Sequence, residues 1–343
     1  MIMRKFRYCA AAFAAVITAG ALAGCAAANG AAQAGTGTLE QSTIIVDSVP
    51  VAEEGGLYVA QAQGFFAQQG LTVKIVPITG AERAIPDLQT GRAQLVAGNY
   101  VSFILAQIAG KFDNKPASLR IIAAGSEIQP GTEDLYVMPG TKYQTVSELA
   151  KAHARVGLNT ANDIGGLMLG ASLTEAGYRL GDIKQVIPAG GFPALLHMLP
   201  AGQVDAAWLP QPLGVEAEQQ IGAVPITDFD QGSLENFPFT GYIGSTSWVQ
   251  THPGTVAAFL RALNEGQQVA DTDRQAVEKA METYTGISPM IAANMAIDSY
   301  PLEIDVPQLQ RVTDSMFEFG LTPGASPYKI SAMIQPEPGM ISG

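Results

Sequence analysis

The 343-residue sequence is short of the groups on which most catalytic and metal centres are built. It has two cysteines, Cys9 and Cys25, both ahead of residue 26, so no disulfide can staple the body of the chain. Its three histidines, His153, His197 and His252, are scattered without metal-ligand spacing, and no metal site is expected. No GxSxG elbow, CxxC, HExxH or phosphate-loop pattern occurs, so no catalytic residue and no cofactor are expected. Positive charge is scarce: 19 Lys and Arg face 31 Asp and Glu, for a net charge of −12. No basic stripe exists, which argues against nucleic acid as a partner. Long apolar runs are also missing beyond the first 24 residues. The most apolar later stretch, Leu95 to Gly110, is interrupted by Asn99, Ser102 and Gln107 and reads as a buried helix.

What is present begins with a leader. Arg4, Lys5 and Arg7 form a positive segment, and Ala10 to Leu22 is apolar but too short to span a membrane comfortably. It ends in Leu22-Ala23-Gly24-Cys25, which resembles the lipobox of bacterial lipoproteins, where cleavage precedes the cysteine and its thiol carries a diacylglycerol. Residues 1–24 are therefore expected to be a lipoprotein signal peptide and Cys25 the lipidated residue, anchoring the protein on the extracytoplasmic face of the cell membrane. Cleavage near Ala26-Ala27-Ala28 is the alternative. Residues 25–41 have no periodicity and little bulk and read as a flexible tether. Losing Arg4, Lys5 and Arg7 takes the charge from −12 to −15. About 300 residues remain, enough for two domains.

Those residues contain a repeated phrase. PITGAERAIPDLQTGRAQL starts at Pro77, and PAGGFPALLHMLPAGQVDA starts 111 residues later at Pro188, with Pro77, Gly80, Leu88 and Gly91 matching Pro188, Gly191, Leu199 and Gly202. Each copy follows a β-branched run and leads through a glycine turn and a helix-period segment to a second apolar run. That is a βαβ unit written twice. Further strands are expected at 42–48, 119–126, 154–159 and 223–227, and helices at 53–69, 99–109, 163–176, 211–221, 253–271, 273–285, 288–299 and 306–319. Alternating strands and helices imply mostly parallel sheets covered on both faces, in two similar α/β lobes. Lobe I is expected over 42–138 and 246–343 and lobe II over 139–245. The chain would cross near Leu135–Pro139 and Tyr242–Ser245, forming a two-strand hinge beside a cleft.

Several phrases in this order resemble the solute-binding proteins of ABC transporters for nitrate, sulfonate, taurine and thiamine-precursor pyrimidines. Leu57 to Leu71 matches that family's L-Y-V-A-x-x-x-G-F-F-x-x-x-G-L phrase, Gly91 to Gly98 its glycine-bounded turn, Val146 to Leu149 loosely its V-x-D-L phrase, and Gly202 to Ala207 its G-Q-V-D-A-A phrase. The resemblance implies the two-lobed type II periplasmic-binding-protein fold, and as partners a small-molecule ligand and the permease and ATPase of an importer. Gln94 stands where the family often has Asp, and Gln211 where it often has Glu before proline. A ligand amine at either place would lose a charged partner.

Ligands of open α/β sheets sit beyond the C-terminal ends of strands. The loops there offer Ser48, Pro50, Thr79, Gly80, Asn99, Tyr100, Ser126, Asn159, Thr160, Asp163, Gly191 and Gln211 as candidate ligand-binding residues, with Trp208 and Tyr100 as aromatic clamps and Tyr242 at the hinge. Each has a plainer alternative as a cap, a turn or core packing. Several of these loops open helices, whose N-terminal N–H groups suit sulfonate, carboxylate or phosphate groups. Glu53, Glu127, Asp134 and Asp163 could meet a ligand ammonium, with solvation or capping as the alternative. The expected protein is a monomeric, non-enzymatic receptor for a small anionic or nitrogen- or sulfur-containing molecule. The alternatives are a sensory receptor and, further off, an enzyme of the thiamine-precursor type.

Overall fold

The computed structural model describes residues 38–110, 118–161 and 163–335. The leader, Cys25 and most of the expected tether lie outside the described residues. Ten strands are present among those described: β1 (Thr43–Ser48), β2 (Thr72–Pro77), β3 (Leu95–Asn99), β4 (Leu119–Glu127), β5 (Glu133–Val137), β6 (Arg155–Gly157), β7 (Lys184–Val186), β8 (Ala206–Pro210), β9 (Val224–Asp228) and β10 (Pro238–Ser245). They form two five-stranded sheets, ordered β2-β1-β3-β10-β4 and β7-β6-β8-β5-β9.

The two sheets share one plan. In the first, β1 pairs in parallel with β2 and β3, and β10 runs antiparallel between β3 and β4. In the second, β6 pairs in parallel with β7 and β8, and β5 runs antiparallel between β8 and β9. Four strands of each sheet therefore point one way, and the reversed fifth strand comes from the other half of the chain. The repeated phrase has a structural counterpart: β3 and β8 begin 111 residues apart and hold the same place in their sheets.

The crossings differ from expectation. β5 already belongs to the second sheet and β10 to the first, so the chain crosses between Glu127 and Glu133 and again between Asp228 and Pro238. These fall before Leu135–Pro139 and before Tyr242–Ser245. The cause is the pairing of β5 and β10 on both edges, which seats each one inside a sheet rather than between sheets. The helix expected over 53–69 is also broken. A 3₁₀ turn covers Ala52–Glu54, then helices cover Gly55–Ala62 and Phe65–Gln68, parted at Gly64, whose φ of 74° no helix accommodates. The helix expected over 288–299 shortens to Pro289–Asn294. Gly91 closes its helix in the left-handed region as expected.

One apolar core runs through both lobes, from Val96 and Ile104 to Leu167 and Leu209. A second lies under the long helix Pro253–Thr272, which sets Phe259 against Phe66 and Tyr242. The C-terminal helices thus return to the first lobe. Among the described residues no helix is long and apolar enough to cross a membrane.

Candidate functional site

The strand ends of the two sheets face each other, and polar contacts join them. Asp163, at the start of the helix Ile164–Glu175, accepts from Asn99 Nδ2 at 3.2 Å and Ser102 Oγ at 2.8 Å. Thr160 Oγ1 donates to Glu82 Oε2 at 3.2 Å, and Ala52 N–H to the Gln211 carbonyl at 2.8 Å. The lobes are closed on each other. Between them a small cavity remains, with about 30 Å³ of room for the centres of water molecules.

Both lobes line it. The first supplies Glu53, Glu54 and Asn99, the second Asn159, Phe192 and Trp208, and β10 adds Phe239 and Thr240. Local structure places each of these. Asn99 ends β3 and caps the helix Tyr100–Ile108, its Oδ1 accepting from Ser102 N–H at 2.9 Å. Trp208 lies flat against Gly165, where any Cβ would collide with the indole, and its Nε1 donates to Glu133 Oε2 at 2.6 Å. Phe192 meets the indole edge-on at 4.9 Å. Glu53 and Glu54 precede Gly55 and Gly56, where a side chain would run into Tyr300 and Gln267. This fit, together with the bond from Tyr300 Oη to the Ala52 carbonyl at 2.7 Å, fixes the acidic turn at the cavity wall.

The charge of the site is one-sided. Glu53 is 4 % exposed, Glu54 1 % and Glu133 fully buried. Burial raises all three carboxyls, and Asp298 raises them further by like charge. Glu54 is pushed up to about 8, Asp298 to about 7 and Asp163 to about 6, in each case chiefly by burial. Among the described residues no lysine or arginine lines the cavity. Three buried acceptors on its wall find no protein partner, both Glu54 oxygens and Asn159 Oδ1, while the Glu53 carboxyl meets that of Glu133. Among the described residues no cluster of three or more His, Cys, Asp or Glu is arranged to hold a metal ion.

Of the residues expected at a ligand site, the cavity gathers Asn99, Asn159 and Trp208. Asp163, Thr160, Gly80, Thr79 and Gly191 lie along the lobe contact instead. Asp163 and Thr160 bond across it, a Cβ at Gly80 would press on Thr160, and one at Gly191 would press on Thr79. Gln211 is buried at the crossing, its Nε2 donating to the Gly131 carbonyl at 2.9 Å. Ser48 is buried at the end of β1 beside Tyr58, and Pro50 lines a separate surface pocket with Tyr58 and Tyr284. Tyr100 packs over Gly241, Ser126 bonds Thr240 at 2.9 Å, and Tyr242 lies in the core against Phe259. None of the three lines the cavity, and Tyr100 and Ser126 border a separate pocket with Glu127 and Leu309. Sequence reasoning misses Glu54 and Glu133. The one local signal is the pair Glu53-Glu54 immediately ahead of Gly55-Gly56 at a strand exit.

Of the helix N-termini at the cleft, Asn99 caps one with its side chain, Asp163 and the Glu53-Glu54 turn place acidic residues at two others, and those at Gly80 and Gly191 have no side-chain cap.

Comparison with known proteins places these features in a family. No curated protein matches the sequence. Among solved structures, the alkanesulfonate-binding protein SsuA from Xanthomonas axonopodis pv. citri, bound to MOPS, aligns with a TM-score of 0.72 at 16% identity over 87% of this chain and 99% of its own. The ligand-binding component of an ABC-type import system from Staphylococcus aureus, with zinc bound, aligns with a TM-score of 0.72 at 14% identity over 86% and 97%. The periplasmic nitrate-binding protein NrtA from Synechocystis aligns with a TM-score of 0.71 at 13% identity over 84% of each chain. At such identities the likeness is one of fold, and it establishes the two-lobed periplasmic-binding-protein architecture. Residues 52–276 match the family profile described as NMT1/THI5 like, and the chain belongs to that family.

Proposed function

We propose that this protein is the solute-capturing component of an ABC importer, exported and held on the extracytoplasmic face of the membrane by lipid on Cys25. It takes a small molecule into the cleft, closes, and presents the closed form to a permease and its ATPase. The observation that carries this reading is the cavity shut between the lobes, with partnerless polar groups from both of them on its wall. A ligand that bonds Glu54 and Asn159 together has differential affinity for the closed state, which is what drives closure. The family and fold support the same role.

The test is to release small molecules from the purified protein by denaturation, identify them by mass spectrometry, and return the main species to ligand-free protein. One equivalent should bind, reduce the radius of gyration in small-angle scattering, and be recovered intact. Binding without compaction defeats the closing mechanism, and a chemically altered product makes the protein an enzyme. Anchoring is checked separately. Cys25→Ser should leave the protein uncleaved or freely released, and a variant that matures normally and still fractionates with membranes refutes the lipid anchor.

A further inference from the structure

We propose that the molecule captured in this cavity carries a positively charged nitrogen, an ammonium or amidinium group, which docks on Glu54 and Glu53 while its apolar body lies against Trp208, Phe192 and Phe239. This rests on the cleft being a ligand site, as proposed above, and adds the chemical class of the ligand.

The partnerless atoms set the polarity of what must enter. Glu54 Oε1 and Oε2, with the carboxyl ionised, and Asn159 Oδ1 are all acceptors. A buried acceptor without a donor costs about 1–3 kcal/mol, more if it is charged. Sulfonate, nitrate or carboxylate groups bring only more acceptors. They would leave Asn159 Oδ1 unanswered, could be met at Glu54 only by a proton that its carboxyl holds, and would be repelled wherever Glu53, Glu54, Glu133 or Asp298 is ionised. A protonated amine brings up to three donors and the missing charge.

Nothing on the protein side supplies that charge. The arginines that make ion pairs among the described residues line no part of the cavity: Arg83 pairs with Glu82 at the lobe contact, Arg92 with Asp87, Arg155 with Asp205 and Arg274 with Glu278. Glu54 faces Asp298, and Glu53 faces Glu133, Asp298 and Glu54, so every titratable neighbour of the turn is acidic or a tyrosine. Burying carboxyls in this way without a counter-ion drives them to hold protons, and a bound cation reverses that balance. An organic cation also suits the apolar lining, and the described residues form no cluster of three or more His, Cys, Asp or Glu arranged for a metal ion. The aromatic wall agrees. Trp208, Phe192 and Phe239 line the same small space, and an ammonium beside such rings gains cation–π attraction.

The experiment uses the full chain at pH 7.5 with four probes: ethylammonium, ethanesulfonate, propanamide and nitrate. Binding is measured by calorimetry in two buffers of different ionisation enthalpy. Ethylammonium should bind at least tenfold more tightly than the other three, and its binding should release protons as the carboxyls ionise. Glu54→Gln should weaken it at least tenfold, while Glu278→Gln, outside the cavity, should leave it unchanged. The inference is overturned if ethanesulfonate or nitrate binds as tightly as ethylammonium, if propanamide does, if ethylammonium does not bind at all, or if no protons are released. Tighter binding of an anion or the amide, accompanied by compaction in scattering, would leave the receptor reading standing and remove only the charge assignment. A probe that binds without compaction counts against the receptor reading itself.

Discussion

Trp208 joins the packing of the second lobe to the chemistry of the cavity. Its ring is fully buried against Gly165, and its indole N–H donates to Glu133. Trp208→Phe keeps much of the apolar surface and removes the donor, so it should cost about 1–3 kcal/mol of stability, seen as a lower melting temperature. Trp208→Ala should in addition weaken ligand binding about tenfold or more, about 1.4 kcal/mol, as should Asn99→Ala. Unchanged affinity in both would move the site elsewhere. At this scale the sequence is only partly readable. Asn99, Asn159 and Trp208 can be picked as candidates because they stand at strand exits, although Asn99 also caps a helix and Trp208 also packs in the second lobe. Glu54, Glu133 and Asp298 come from three distant segments, and no local pattern announces that they converge. Tyr100 and Tyr242, picked in the same way, do not line the cavity. An aromatic ring at a strand end has the same appearance whether it faces a cleft or a neighbouring sheet.

The elements are more legible than the residues, because periodicity and glycine stops are local. The repeated phrase places β2, β3, β7 and β8 with their helices, and Gly70, Gly91 and Gly177 all adopt positive φ where a stop is expected. β5 and β10 escape such reading because both are buried along their whole length and lack the alternation that marks a half-exposed strand. Their seats depend on long-range pairing. The helix Ile164–Glu175 carries the next prediction. Its first turn brings Asp163 onto Asn99 and Ser102 of the other lobe, a clasp between elements 61 and 64 residues apart in sequence. Asp163→Ala removes both bonds and should shift the ligand-free protein toward an open form. A larger radius of gyration and a ligand affinity reduced several-fold are expected. An unchanged radius would mean that apolar contact alone holds the lobes together.

Across the whole molecule the buried acids make stability depend on pH in an unusual direction. A carboxyl raised by burial binds its proton more tightly folded than unfolded, so its contribution is fully present below its ordinary value and is lost as pH rises through its folded value. For Glu54 that window runs from 4.5 to about 8, for Asp298 and Asp134 from 3.8 to about 7, and for Asp47 and Asp163 from 3.8 to about 6. Glu40 and Asp205 act oppositely. Backbone N–H bonds from Thr255 and Gly254 hold Glu40 at about 2, and hydrogen bonds from Arg155 lower Asp205, so their stabilisation is lost as pH falls below the ordinary carboxylate range. The ligand-free protein should therefore be most stable near the ordinary carboxylate pKa, between the two sets. A tenfold difference in proton affinity between the folded and unfolded chain corresponds to about 1.4 kcal/mol, and a chain of this size loses about 2–4 °C per kcal/mol. The melting temperature should then be lower at pH 8 than at pH 5 by about 5 °C or more. General repulsion in an acidic chain pushes the same way, and Glu54→Gln separates the two causes. The amide cannot ionise, so this variant should lose less stability over the interval than the parent protein while keeping nearly all of its net charge. Equal losses in the two proteins would assign the effect to surface repulsion and remove the buried turn from the account.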